Sequence, residues 1–317
     1  MKPRALIGFI LFLGIVVMIN SKPVNEYISS MGTKGAILAF MQNDWDSQIE
    51  FLKKKNIPPI NARVDRVWKG IPGYNGLMLD VDGTKDRMKK EGKWDNRYVI
   101  YQEIPPQVQI EQLGAVPIYR GNPAKPMVSI MINVAWGNEY LPSILETLKN
   151  NNVKATFFLD GSWTRKFPEE AKKIVMEGHE IGNHAYTHPA MSTLSNGRIE
   201  QEILRTNDII QKATGIEPAL FAPPSGDFDD RTVNIAFRYH MKTILWTADT
   251  VDWRKPTPAQ WLSNVRNKIG NGTLILMHPT ESTAQSLPSL IKEIKQRNLT
   301  IGTVSQTISS SRVQLVE

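Results

Sequence analysis

From Met127 onward the chain alternates short apolar runs with longer segments whose apolar residues recur every three or four positions. The runs Val128–Val134, Ala155–Leu159, Glu180–Asn183, Ala219–Ala222, Thr243–Trp246, Thr273–Met277 and Thr300–Thr303 have the length of buried strands. The segments Glu139–Asn150, Pro168–Glu177, Arg198–Thr214, Asp229–His240, Pro258–Ile269 and Leu287–Gln296 predict helices. In Arg198–Thr214 the residues Ile199, Ile203, Ile210 and Ala213 form one stripe, and Gly215 stands where a left-handed cap belongs. Strand and helix in alternation predict an α/β domain with a parallel sheet or barrel, whose chemistry gathers at the carboxyl ends of the strands. Asn133, His184, Ala222, Asp249–Trp253 and His278 all fall at such ends.

Ahead of that domain the pattern differs. Ala5–Ile19 is apolar and uncharged behind Lys2 and Arg4, as in a signal peptide or a short membrane anchor. No small-x-small cleavage site follows, the next residues being Asn20-Ser21-Lys22-Pro23, which favours an uncleaved anchor with the rest of the chain exported. Residues 21–60 read as helix with breaks, Trp45, Ile49 and Leu52 marking one apolar face. Short strands are expected at Ala62–Trp68, Leu77–Val81, Tyr98–Tyr101 and Ala115–Tyr119. Asp80, Asp82 and Asp86 lack the spacing and closing Glu of a calcium loop, so a solvated hairpin is expected there. The division is therefore 1–20 hydrophobic segment, 21–120 small α+β module, a Pro/Gly linker, and 127–310 main domain.

Charge sharpens this division. The net charge is +7, of which residues 1–124 hold +5 (17 Lys+Arg against 12 Asp+Glu). The excess lies outside the main domain and suits an anionic membrane or cell wall. No nucleic-acid recognition motif accompanies it, and no nucleic-acid partner is expected. There is no cysteine, which excludes disulfides and thiolate metal sites.

The chemistry centres on Glu180–Pro189, which carries His184 and His188. Two imidazoles four apart share a helix face or converge across a tight loop, and either way they are candidate ligands for a divalent metal.

Taken in order, the motifs resemble those of the NodB-type polysaccharide deacetylases, carbohydrate esterase family 4. They are Asn152–Leu159, His179–His184, His184–His188, Asp249–Trp253 and Leu276–His278. The resemblance covers 127–305 and implies a distorted (β/α) barrel, and the whole chain resembles an exported Bacillus-type member. It implies removal of N-acetyl groups from N-acetylglucosamine in chitin or peptidoglycan, with cell-wall polysaccharide as partner. It also implies a divalent metal, commonly zinc, on one Asp and two His, with a second Asp as base and a late His as acid. Carried over by position, His184 and His188 are metal ligands and His278 is the acid, oriented by Asp252. Trp253 and Tyr186 wall the acetyl pocket, with Pro223 and Pro224 beside it. The first motif, however, reads Met131-Ile132-Asn133-Val134-Ala135, so the base position is Asn133 and the third metal ligand is Val134. The third motif begins with Ala222 where the family has an Arg that orients the base.

An amide does not accept a proton near neutral pH, and valine has no lone pair for a metal. A metal is thus expected to bind weakly or not at all. Asp227, Asp229 and Asp230 are the nearest substitute carboxylates, though Asp229-Asp230-Arg231 reads more simply as a helix start. Three functions are consistent with the sequence: a glycan-binding member with absent or weak catalysis, an active deacetylase with a two-His metal site, or a non-enzymatic envelope scaffold.

Overall fold

Strand β5 (Met127–Val134) is the spine of the domain, and all eight of its residues are buried. Its even-numbered side chains, Val128, Ile130, Ile132 and Val134, join the larger apolar cluster with residues of the surrounding helices. Met131 faces a second cluster with Phe158, Ala222 and Leu276. Coverage on both faces explains why the run is mostly apolar, with only Ser129 and Asn133 polar, rather than alternating.

The structure, a computed structural model, describes Lys22, Glu26, Ser29, Gly32 and residues 45–313. The expected hydrophobic segment 1–20 lies outside the described residues. Short strands β1 (Arg63–Asp65), β2 (Lys69–Ile71), β3 (Gly76–Leu79) and β4 (Tyr101–Ile104) precede β5. After it come β6 (Thr156–Leu159), β7 (Glu180–Asn183), β8 (Leu220–Phe221), β9 (Lys242–Thr243), β10 (Ala248–Asp249), β11 (Leu274–Met277) and β12 (Thr300–Gly302).

The main sheet runs β10-β11-β5-β6-β7-β8-β9, with every pair parallel. One edge of β5 serves two partners in succession. Its start, Met127–Ser129, pairs with β12, and Ser129–Ile132 pairs with β11. The edge strands β9 and β10 do not pair with each other, so this α/β fold is an incompletely closed barrel with helices around it.

By contacts, described residues 45–57 with 78–102 form one compact unit and 58–77 with 103–313 another. The segments 58–77 and 103–120 thus group with the main domain rather than with the expected 21–120 module. In the smaller unit Ile49, Leu52 and Leu79 make the core. Residues 81–91, read from sequence as strand end and solvated hairpin, form the helix Val81–Glu91 instead. Asp80 is its N-cap, accepting from Gly83 N at 2.9 Å, and Gly92 closes it at φ 68°.

Two further differences have simple causes. The last long helix is Glu281–Gln296, capped by Thr280, and starts six residues before the expected Leu287 because Pro288 sits inside it rather than in its first turn. Of the expected strand Thr243–Trp246 only Thr243 lies in a strand, β9; residues 244–246 belong to neither β9 nor β10, which follows at Ala248–Asp249. Between them Thr247 Oγ1 donates to Tyr119 O at 2.7 Å.

Candidate active site

The carboxyl ends of β5, β7, β10 and β11 open into a cleft of about 480 Å³. Asn133, His184, His188, Asp249, Trp253 and His278 line it, with Trp136, Ser225 and Trp246. Six predicted residues from four separate stretches of sequence therefore meet in one place.

His184 follows β7 directly and is 1% exposed. Its Nδ1–H donates to Ala222 O at 2.7 Å, which fixes the tautomer and leaves Nε2 as the free nitrogen. Burial, then the charge of His188, pushes its pKa down to about 3. His188 is exposed, and the two rings stand edge to face with centroids 5.1 Å apart. They converge across a loop rather than along a helix. That loop bends through left-handed backbone at Ala185 (φ 58°) and His188 (φ 56°). The buried carboxylate of Glu202 holds it, accepting from Tyr186 N and Thr187 N at 2.8 Å and from Thr187 Oγ1 at 2.9 Å. Asn183 Oδ1 accepts from Ala185 N at 2.8 Å.

Asn133 is 3% exposed, and its Oδ1 is fully buried without a hydrogen-bond partner. Such an orphaned acceptor costs about 1–3 kcal/mol and marks a place where a partner belongs. Ala222, which stands where the family's Arg would be, contributes only its carbonyl, and that is occupied by His184. Val134, the last residue of β5, packs against the apolar cluster and offers the cleft no ligand atom.

The opposite wall is complete. Asp252 is wholly buried and accepts from His278 Nδ1 at 2.7 Å, from His278 N at 2.6 Å and from Thr283 Oγ1 at 2.7 Å. This leaves His278 Nε2 free. Val251 beside it has φ 55°, a costly conformation for a β-branched residue. Asp249 Oδ1 supports that turn by accepting from Val251 N at 2.8 Å.

Other predicted residues lie elsewhere. Tyr186 is buried under the Arg205 guanidinium, 3.7 Å from its ring centroid, and packs in the core rather than in the cleft. Pro223 and Pro224 are buried and do not line it; Ser225, at φ 55°, does. Asp227 accepts from Ser192 N and Oγ, at 2.7 and 2.9 Å, and Asp229 caps the helix Asp230–Arg238. Neither replaces the missing carboxylate. Asp160 is likewise taken as the cap of the helix Gly161–Lys166.

Sequence reading missed Trp136, which stacks on His278 with centroids 5.7 Å apart and planes 12° from parallel. It also missed Thr283 and Glu202, whose roles exist only through contacts across the fold. Polar residues in core-facing helix positions were the available signal.

As a metal centre the cleft offers two imidazole nitrogens, and Val134 supplies no ligand atom. Among the described residues no three His, Asp or Glu side chains come together around one ion position. The donor set does not fit a resident catalytic metal.

Comparison with known proteins agrees with this geometry. Residues 120–244 match the family model described as polysaccharide deacetylase. The chain is 43% identical to the uncharacterized protein YlxY of Bacillus subtilis, over 98% of each chain. It is 32% identical to a peptidoglycan-N-acetylglucosamine deacetylase of Bacillus cereus, over 55% of this chain and 65% of that one. Among solved structures it resembles BA3943, described as a CE4 family pseudoenzyme from Bacillus anthracis. Identity is 45%, the TM-score is 0.79, and 85% of this chain and 96% of that one are covered. A mutant of BA3943 with restored enzymatic activity superposes with a TM-score of 0.78 at 44% identity, covering 84% of this chain and 98% of that one.

Proposed function

Because the chain belongs to the polysaccharide deacetylase family, carbohydrate esterase family 4, we propose that it binds N-acetylglucosamine-containing cell-wall glycan in the former catalytic cleft, with catalysis absent or weak. The observation that carries this is Asn133. It occupies the base position and keeps a buried, unpartnered Oδ1, while His278 and Asp252 opposite retain every hydrogen bond of an acid and its orienter. Loss of a general base costs on the order of 10²–10⁴-fold in rate. Polysaccharide deacetylases are generally metal-dependent, and His184 and His188 are the residues that would hold zinc here. With Val134 in the core, such binding is weak or absent, and no catalytic step is assigned to it.

The walls suit a sugar. Trp253 is 53% exposed and Trp136 46%, beside the polar groups of Asp249 and Ser225. Aromatic faces with a few placed polar groups are what a glycan site needs. The restored activity of the BA3943 mutant supports a cleft that has lost few groups.

The intact His278–Asp252 pair favours one second reading, a slow deacetylase with a two-His site. In either case the protein works outside the cytoplasm, with its apolar N-terminal stretch held in the membrane or removed on export. The basic start at Lys2 and Arg4 supports that placement. Calorimetric titration of the full-length protein with N-acetylglucosamine oligomers tests the proposal. Binding that weakens in Trp253→Ala is expected; no binding at millimolar oligomer overturns it.

A further inference from the structure

The hairpin of β1 and β2 stands at the end of the barrel away from the cleft. Its strands pair as Arg63↔Ile71, Val64↔Gly70 and Asp65↔Lys69, and residues 66–68 make the turn. Lys69 also bridges to Ile118, and Gly70 N donates to Pro117 O at 3.0 Å, which ties β2 to the body of the larger unit. Two residues on, Arg120 bridges to Thr273 and donates from Nη2 to Asn271 O at 2.8 Å. Thr273 precedes β11 and His278 follows it, so the two lie at opposite ends of one strand, roughly 16 Å apart along it. The Arg120 guanidinium lies over the Trp68 ring, 5.6 Å from its centroid, and so places the turn at the amino end.

We infer that this hairpin docks the protein on an anionic lipid surface. Val64 and Val67 enter the boundary between headgroups and acyl chains, and Arg63, Arg66 and Lys69 meet the headgroups. The inference rests on the membrane placement proposed above and is independent of the glycan function.

Val64 and Val67 are 60% and 66% exposed. Single apolar residues scattered over a surface are ordinary. These two stand within four residues of each other, between three exposed cations. The one acid among residues 63–69 is spent on the turn: Asp65 Oδ1 accepts from Val67 N and Trp68 N, each at 2.8 Å. With Lys69 in left-handed backbone at φ 56°, those bonds fix the shape of the turn that presents Val67. An apolar tip ringed by cations, with a half-buried indole behind it, is the pattern of a surface that sits on anionic headgroups. A soluble polyanion would engage the cations and leave both valines in water. Docked in this way, the amino end of the barrel faces the bilayer and the cleft opens away from it, toward the wall.

The chain has no cysteine, so Val67→Cys in the full-length protein takes a single environment-sensitive fluorophore. Glu281→Cys, exposed in the first turn of the helix after β11, takes the same label at the cleft end. Each is reconstituted with vesicles of phosphatidylcholine, with and without phosphatidylglycerol, carrying a quencher on the acyl chains. The label at 67 is expected to be quenched in the anionic vesicles and several-fold less in the neutral ones, and the label at 281 in neither. Arg63→Gln/Arg66→Gln should lower the docked-to-free ratio about 25-fold, fivefold for each cation. High salt should act in the same direction. If the protein floats with the vesicles but the label at 67 stays as wet as that at 281, or is quenched equally without phosphatidylglycerol, the docking is wrong and the membrane placement stands. If the protein floats with neither composition, both fall. If soluble poly(glycerol phosphate) shields the label at 67 and anionic vesicles do not, the hairpin binds a polyanion and the lipid assignment is wrong.

Discussion

Asp252 grips His278 by both of its N–H groups, Oδ2 accepting from the backbone N at 2.6 Å and Oδ1 from Nδ1 at 2.7 Å. A third donor, Thr283 Oγ1, fills the remaining position at 2.7 Å. The carboxylate therefore sets the backbone, the ring plane and the tautomer of His278 together.

Asp252→Ala leaves three buried or half-buried donors without an acceptor. At about 1–3 kcal/mol for each group that stays unpaired, a loss of roughly 3 kcal/mol is expected. Urea denaturation measures it; a loss below about 0.5 kcal/mol would show that Asp252 does not anchor this wall. Asp252→Asn should fall between, since its amide oxygen still accepts from one side.

The loop that carries His188 depends on Glu202, a buried acceptor for three donors that also pairs with Arg198 at 2.7 Å. Glu202→Ala is expected to cost about 2–3 kcal/mol, because Tyr186 N and Thr187 N lose their partner. The Arg198 pair adds little, since that side chain is 45% exposed. An unchanged denaturation midpoint, with unchanged exchange of these two amides, would contradict the role given to Glu202.

Acid should unfold the domain through its buried histidines. Burial, and secondarily Lys154, pushes His179 down to about 4 from an ordinary 6.5, and its Nδ1 accepts from Ala155 N at 3.2 Å, a bond that protonation breaks. His184 is held down to about 3. Above pH 6.5 both are neutral folded or unfolded and add no pH dependence. Below it the unfolded chain takes up protons that the native state refuses. Stability thus falls with pH, by up to about 1.4 kcal/mol per unit per group, until about pH 4 for His179 and about pH 3 for His184. Urea midpoints from pH 7.5 to 4.5 should show this fall, and His179→Gln should reduce it. An unchanged slope in that variant would contradict the assignment.

Val134 faces the core, so Asn133→Asp with Val134→Asp is expected to lower stability by about 2 kcal/mol or more without metal. Zinc should then bind more than about tenfold tighter than to wild type, a gain of roughly 1.4 kcal/mol, and restore part of the stability. Calorimetry with and without zinc checks both. If zinc affinity does not rise, His184 and His188 do not share an ion position with residue 134.

The alternation of strands and helices after Met127 was legible because β5, β6 and β11 are mostly apolar runs, and Gly215 capped its helix as its position implied, at φ 78°. The meeting of His184, His188 and His278 in one cleft was legible from their places at or just after strand ends. Trp136 was not, since nothing local marks an indole that meets His278 only after β5 and β11 pair in parallel. The helix Gly161–Lys166 escaped notice because six residues carry too little periodicity, and its start depends on the Asp160 cap. Tyr186 sat inside a true motif, and only the fold puts its ring under Arg205 instead of in the cleft.

The measurement that bears most directly on the central claim is acetate release from N-acetylglucosamine oligomers by the wild-type protein with zinc supplied, beside the Asn133→Asp/Val134→Asp double variant. The wild type is expected to release acetate at background while still binding the oligomer, and the double variant to rise above it. Wild-type turnover at ordinary enzyme rates, on the order of 1–10³ s⁻¹, would contradict the account and make Asn133 compatible with full catalysis.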